Sequence, residues 1–245
     1  MITTRVDLVP VREVRPRDYA RDEDGGGRRR PRPRPDRVDV DREHEAGRTP
    51  MSGRAGQGRR FDVEEALDAA LAVFWEHGYE GASLASLTEA MGINPPSLYK
   101  AFGSKEELFF SVVRRYNETH GAFLGTAIRE ERDGLAMLRR VLFEAAEHYP
   151  SRDYPGGCLV ISAAVTVTEA NRHVAERLAT MRRENVLAMA QRPDVSEAMA
   201  RFTGATLQGM SQQARDGATA EDLRHIAELA TIALEVAAHA HRKVA

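Results

Sequence analysis

From residue 61 onward, apolar side chains recur at helical spacing. Val63, Ala66, Leu67, Ala70, Leu71, Phe74 and Trp75 fall on one face and predict a first helix. Asp62 stands at its N-cap position with Glu65 three residues on, and Gly78 supplies a residue able to close the helix in the left-handed conformation. The stretch from Ser83 to Phe102 predicts two short helices. Ser83 caps the first, whose Leu84, Leu87 and Met91 point inward, while Gly92 permits a sharp turn and Ile93 fills the angle between the helices. Asn94 caps the second, and Pro95 and Pro96 fall in its first turn, where a missing N–H costs nothing. Leu98 and Phe102 are then the buried pair, and Ser97, Tyr99, Lys100 and Ala101 face outward. A capping box from Ser104 to Glu107 opens a fourth helix.

Beyond residue 105 the helical pattern runs nearly to the end, broken near 130–134, 149–157, Asn171, 192–194 and 216–217. These breaks predict six further helices and an all-α fold of about nine. Between Val195 and Arg215, Met199, Phe202, Thr206, Gly209 and Met210 share a side, with Gly204, Ala205 and Gly209 allowing close approach. The last helix, capped by Thr219, carries Leu223, Ile226, Ala227, Ala230, Ala233, Leu234 and Ala237 on one face, and Leu229, Ile232 and Val236 extend the apolar surface round another. Such a helix is either fully internal or shared with a second subunit, with Ala230 on the face expected to be shared.

The first 58 residues change the picture. Gly25–Gly27 run into an Arg/Pro tract at 28–35, and prolines at this density forbid a regular helix. The expectation for 1–58 is a disordered Arg/Pro/Gly-rich extension, either a basic tail for nucleic acid or a solvated segment without a role, with Met51 a natural alternative start. It holds 14 Arg against 11 acidic residues, leaving 21 basic and 26 acidic for the remainder of a chain whose net charge is −2. One cysteine forms no internal disulfide, no apolar run approaches the ~20 residues of a membrane span, and the start lacks a signal-peptide core. A cytoplasmic protein with no membrane partner is expected.

A short, tightly capped helix that exposes a small hydroxyl, a phenol and an ammonium has the shape of a major-groove reader, although an ordinary helical hairpin shares the spacing. The flanking residues decide between them. Gly78–Tyr79, Ser83, Gly92–Ile93–Asn94, Leu98–Tyr99, Phe102 and Ser104–Lys105–Glu106, in this order, resemble the DNA-binding domain of the TetR family. The resemblance covers about residues 59–120, with the helix-turn-helix motif at 83–102. The family often has Gly where Pro96 stands and His where Ala101 stands, so those two contacts do not carry over.

The resemblance implies a transcription regulator, a repressor that binds a pseudo-palindromic operator as a homodimer and is released by a small-molecule effector. Residues 121–245 would then form a helical effector-binding and dimerisation domain, the last two helices pairing into a four-helix interface. The DNA-binding candidates are Arg59, Arg60, Ser83, Asn94, Pro95, Ser97, Tyr99, Lys100 and Lys105. Residues 59–106 hold four basic side chains against eight acidic ones, so the cations must face DNA with the acids of the first helix behind them. Candidates lining an effector pocket are Tyr116, Phe123, Phe143, Cys158, Ile161, Ser162, Val165 and Met181, each of which ordinary core packing explains as well.

Gly156–Gly157 deliver Cys158 to a helix start, where a thiol is either a sensor of electrophiles or a small packing residue. Catalysis finds little support. There is no Gly-rich phosphate loop, no His-Glu-x-x-His and no Gly-x-Ser-x-Gly, the eight histidines lack ligand spacing, and no cofactor or metal is implied. Glu144, Glu147 and His148 lie together, as acidic surface helices often place them. An architectural DNA-binder using the Arg/Pro tail is the other alternative, separable by its lack of sequence preference.

Overall fold

A computed structural model describes residues 62–151 and 153–242, which hold ten α-helices, one 3₁₀ turn and no strand. The expectations for residues 1–58, and for Arg59 and Arg60, lie outside the described residues. The first four helices are α1 (Val63–Gly81), α2 (Leu84–Met91), α3 (Pro95–Phe102) and α4 (Lys105–Glu118).

Each begins on a local side-chain cap. Asp62 Oδ1 accepts from the Glu64 and Glu65 N–H groups at 2.9 and 3.3 Å, and Ser83 Oγ from Ser86 N–H at 3.0 Å. Asn94 Oδ1 accepts from Ser97 N–H at 2.9 Å, and Ser104 Oγ from Glu107 N–H at 3.1 Å. Each cap contributes about 1 kcal/mol, a large share for helices of eight residues that would not persist alone. Val63 departs from the expected face: in the first turn of α1 it is 48% exposed.

The remaining helices are α5 (Ala122–Glu130), α6 (Gly134–His148), α7 (Leu159–Ser162), α8 (Arg172–Ala190), α9 (Glu197–Arg215) and α10 (Ala220–Arg242), with the 3₁₀ turn at Glu169–Asn171. The count exceeds the expected nine because the helix predicted through Glu130 breaks at Thr119–Gly121. There the Tyr116 carbonyl accepts from both Thr119 and Gly121, at 3.2 and 2.8 Å. A Cβ on Gly121 would stand 2.6 Å from the Tyr116 ring, so only glycine lets the chain turn this close. The expected cap of the last helix is present and reciprocal: Thr219 Oγ donates to Asp222 Oδ2 at 2.6 Å and accepts from Asp222 N–H at 3.2 Å.

Two apolar cores organise the fold. Phe74, Trp75, Leu87, Leu98, Phe109 and Tyr116 form the first with Leu159, Val174 and Leu178, so α7 and the start of α8 pack beside α1 and α4. Edge-on contacts of Phe74 with Phe109 (5.0 Å) and Trp75 with Tyr116 (4.9 Å) order its centre. Met137, Leu138, Leu142, Met199, Met210, Leu223 and Leu234 lead the second, built from α6, α9 and α10. Cys158 packs against both. Ala230, expected on a shared outer face, is buried in the second core, whereas Leu229, Ile232 and Val236 on the same helix are 70%, 57% and 68% exposed. The helical period places 230 toward 227 and 234, both buried, and the three larger residues away from them.

Candidate nucleic-acid interface

The second helix of the motif is anchored by Leu98 and Phe102 and exposes its remaining side chains. Leu98 is wholly buried and Phe102 half-buried, while Pro95, Pro96, Ser97, Tyr99, Lys100 and Ala101 are all exposed. Gly92 takes φ +64° at the corner, and the Ile93 N–H returns to the Thr88 carbonyl at 3.1 Å, which fixes the angle of α3 against α2. The result is a short helix presenting a phenol, an ammonium and a hydroxyl around its exposed surface, chemistry able to read base edges and phosphates in a major groove.

The other candidates divide by role. The Ser83 hydroxyl bonds Ser86 Oγ and N–H, and the Asn94 amide oxygen caps α3, so both have structural work at the helix ends. Lys105 is half-buried, its ammonium 4.7 Å from the centre of the Tyr79 ring. Burial lowers its pKa, and the Glu80 carboxylate opposes that shift.

The acidic excess around the motif is largely engaged elsewhere. Arg115 on α4 forms a bidentate pair with Asp68, both bonds 2.9 Å, and reaches Glu64 at 3.7 Å. Glu106 meets His173 at 2.9 Å. Glu80 Oε1 accepts from Thr168 N–H (2.6 Å), Thr168 Oγ (2.8 Å) and Asn171 Nδ2 (3.0 Å). The Asn171 bond, followed by the two from Thr168, holds the Glu80 carboxyl at about 2. These bonds draw the α1 carboxylates toward α4 and the segment before α8 instead of toward the Lys100 face.

Contacts that sequence reasoning did not find join α1 to the rest of the chain. Arg215 at the end of α9 donates to the Trp75 carbonyl at 3.1 Å and the Glu76 carbonyl at 3.2 Å, satisfying the last turn of α1 before its bend at Gly78. An arginine 140 residues away in sequence carries no local signal of such a role.

The effector candidates are dispersed over several sites. Cys158 and Ile161 line a cavity of about 60 Å³ between α7, α8 and α9. Ile161 and Val165 line a 680 Å³ cleft outside it. Val165 was expected to point inward but is 74% exposed, because α7 ends at Ser162 and the helical phase ends with it. Tyr116 borders a separate 200 Å³ cavity with Trp75, His120 and Tyr154, and the buried Trp75 indole N–H has no hydrogen-bond partner among the described residues. Phe123 belongs to the second core, stacked on His148 at 5.4 Å. Phe143 lies under the Arg139 guanidinium at 5.4 Å, Ser162 Oγ donates to the Cys158 carbonyl at 2.9 Å, and Met181 packs on the first core.

The acidic group on α6 is explained by arginines. Arg140 binds Glu144 at 2.7 Å and Glu130 and Glu131 at 3.0 Å each, and Arg224 binds Glu147 at 2.6 Å. Among the described residues no three His, Cys, Asp or Glu side chains are placed to hold a metal ion, and no helix is long and apolar enough to cross a membrane.

Known proteins share this arrangement. The pattern of the bacterial regulatory proteins, tetR family, matches residues 66–112. The HTH-type transcriptional repressor BdcR of Escherichia coli (strain K12) is 32% identical over 182 residues, 74% of this chain and 92% of that protein. The repressor ComR of the same organism is 35% identical over 186 residues, covering 70% and 88%. Among solved structures, a cysteine mutant of the TetR family transcriptional regulator CifR, complexed with 26-base-pair operator DNA, superposes with a TM-score of 0.68 at 38% identity, over 71% of this chain and 98% of that one.

Proposed function

Since this chain belongs to the tetR family of bacterial regulatory proteins and is a helix-turn-helix transcription regulator, we propose that it is a repressor whose α3 faces enter the major groove of a pseudo-palindromic operator. The observation that carries this reading is the surface of α3: one buried leucine, three local caps around the motif, and the exposed side chains of Ser97, Tyr99 and Lys100. Tyr99 and Lys100 contact bases or adjoining phosphates. Ser97 and Pro95 lie at the end of α3 that approaches DNA first, and Ser83, Asn94 and Lys105 set or border that approach. Arg59 and Arg60 stand just before α1 in sequence and supply a backbone-tracking arm. The operator complex of CifR and the repressor names of BdcR and ComR support the reading by similarity.

The protein acts as a two-fold dimer in the bacterial cytoplasm, where its DNA is. Leu229, Ile232 and Val236 on α10 and Phe202 on α9 form an apolar surface that a second copy covers, producing a four-helix interface. Residues 59–120 serve as the reading head and 121–245 as the effector-binding and dimerising part. A small-molecule effector favours the conformation in which the two heads no longer match successive major-groove faces, about 34 Å apart. Selection of genomic fragments on the purified protein, at fixed salt, is the test. A regulator enriches a defined two-fold site about a thousandfold or more over random DNA, and enrichment without sequence preference would leave only an architectural binder.

A further inference from the structure

We propose that the effector is an amphipathic monoanion, a carboxylate on a short apolar chain, whose head pairs with Arg182 while its chain enters the cavity between α8 and α9. This rests on the regulator reading in that an effector is expected at all, and it deepens that reading by naming the ligand class.

The observation is a guanidinium without a counter-ion. Arg182 is half-buried, and among the described residues its side chain makes a single hydrogen bond, Nη1 to the Val160 carbonyl at 2.6 Å. Among the described residues no carboxylate lies within ion-pair distance of it or of Arg183, which donates only to Thr180 Oγ at 2.8 Å. Elsewhere Arg115, Arg140, Arg172, Arg201 and Arg224 are each held by a carboxylate, whereas Arg192 and Arg215, like Arg182, donate to backbone carbonyls but border neither the inner cavity nor the two clefts beside it. A partly desolvated cation with donors to spare is costly unless a counter-charge arrives. Burial lowers the Arg182 pKa, the nearby Cys158 sulfur opposes that shift, and Arg183 adds to it.

The space around Arg182 suits such a ligand. Arg182 and Gln208 border three openings at once: the 60 Å³ cavity, a 320 Å³ cleft and the 680 Å³ cleft. The inner cavity is lined by apolar side chains including Leu124, Ile161, Val186, Met189 and Leu207, and its polar edge is Arg182, Asn185 and Gln208. Neither amide makes a side-chain hydrogen bond among the described residues, so both are available beside the guanidinium to hold a carboxylate. A 60 Å³ space admits only a few non-hydrogen atoms, so a longer chain lies partly in the adjoining 320 Å³ cleft, which shares Arg182, Val186, Gly204 and Gln208 with it. Gly204 borders both the inner cavity and the 320 Å³ cleft, and a Cβ there would stand 2.9 Å from Val186 Cγ2. A larger residue at this position would crowd Val186 where the two spaces are lined in common.

Ala205, on the outer side of α9, also lines the 320 Å³ cleft. A carboxylate of a second copy is therefore the rival partner for Arg182, and the test separates the two. The full-length protein is titrated calorimetrically, without DNA, with octanoate, octan-1-ol and octylammonium, so the result does not depend on any operator. Octanoate is expected to bind about tenfold or more tightly than the alcohol, and octylammonium not measurably. Arg182→Gln should remove the advantage of octanoate over octanol, Arg182→Lys should retain most of it, and Gly204→Val should weaken both ligands. Sedimentation of Arg182→Gln should match the wild type.

The proposal is overturned if octanoate gives no binding, if octanol or octylammonium equals it, or if Arg182→Gln binds octanoate unchanged. Dissociation of the dimer in Arg182→Gln would assign the counter-charge to the second copy and overturn it equally. A protein that binds octanoate as described yet enriches no operator would contradict the regulator reading alone.

Discussion

The backbone N–H of Tyr79 donates to the carbonyl oxygen of Ala163 at 2.6 Å. Tyr79 follows the bend in α1, and Ala163 is the residue at which α7 ends, so this bond ties the helix behind the reading head to the segment that delivers Cys158 and Ile161 to the inner cavity. Gly78 makes it possible by taking φ +70°, which turns the next N–H outward from the helix. The end of α7 is thus hydrogen-bonded directly to the bend of α1. Arg215 adds a second link, from α9 to the Trp75 and Glu76 carbonyls.

Replacement of Gly78 by alanine tests the junction. The new Cβ would meet the Ala163 carbonyl oxygen at 2.9 Å, and the backbone would keep a positive φ that alanine disfavours. Left-handed strain of about 1–2 kcal/mol and the clash together should lower stability by about 2–4 kcal/mol. Urea denaturation measures it; a loss below about 0.5 kcal/mol would mean that the junction gives way at little cost.

Tyr99→Ala and Lys100→Ala should each weaken operator binding by about 1–3 kcal/mol if the contact is to a base edge, with thermal stability nearly unchanged because both side chains are exposed. Fluorescence anisotropy at fixed salt gives the affinity. Wild-type affinity in both variants would move the reading surface off α3.

Disruption of the dimer requires a different residue from the one the sequence suggests. Ala230→Glu would bury a carboxylate in the second core and unfold the subunit, since Ala230 is 5% exposed. Ile232→Glu places the charge on the exposed apolar face instead. Sedimentation should show helical monomers for Ile232→Glu and dimers for the wild type; a dimeric Ile232→Glu protein places the interface elsewhere.

Helices α1 to α4 were legible because their signals are local. Asp62, Ser83, Asn94 and Ser104 each cap a backbone N–H two or three residues on, so spacing alone reveals them. The exposed side chains of α3 followed from Leu98 and Phe102 by helical period. The break at Thr119–Gly121 was not legible, since it depends on the Tyr116 ring and carbonyl closing over Gly121. Val165 was misplaced because α7 stops after four residues, too few for periodicity to register. Arg182, Asn185 and Gln208 escaped for another reason. On the sequence they are ordinary polar positions of amphipathic helices, and only the packing of α8 on α9 turns them toward one opening.

The Glu80 carboxyl gives a pH dependence. Its pKa in the folded protein is about 2, below the ordinary carboxylate value, because the ionised form accepts the bonds from Asn171 and Thr168. A depressed folded pKa means the contribution is complete above the unfolded value near 4.5 and is lost as pH falls toward 2. Glu80→Gln should lower the melting temperature at neutral pH, and the gap to the wild type should close on acidification through that window. A gap independent of pH would show that the bonds do not require the charge.

The last prediction concerns Cys158. Its N–H donates to Ser211 Oγ at 2.9 Å, and Gly156 and Gly157 lie so close to α9 that added Cβ atoms would stand 2.9 and 2.5 Å from the carbonyl oxygens of Ala214 and Ser211. The two glycines thus seat the segment against α9, which explains their presence without a reactive thiol. The thiol packs between the two cores beside the Tyr116 and Tyr149 hydroxyls, and burial raises its pKa despite the hydrogen bonds that favour the thiolate. A raised pKa leaves little thiolate at neutral pH, and the thiolate is the reactive form. Cys158→Ser should therefore retain operator affinity and effector-driven release, and mild peroxide should leave the wild type bound to DNA. Anisotropy of both proteins with and without peroxide checks this. If peroxide releases the wild type and spares the serine variant, the thiol is a sensor and its burial does not protect it.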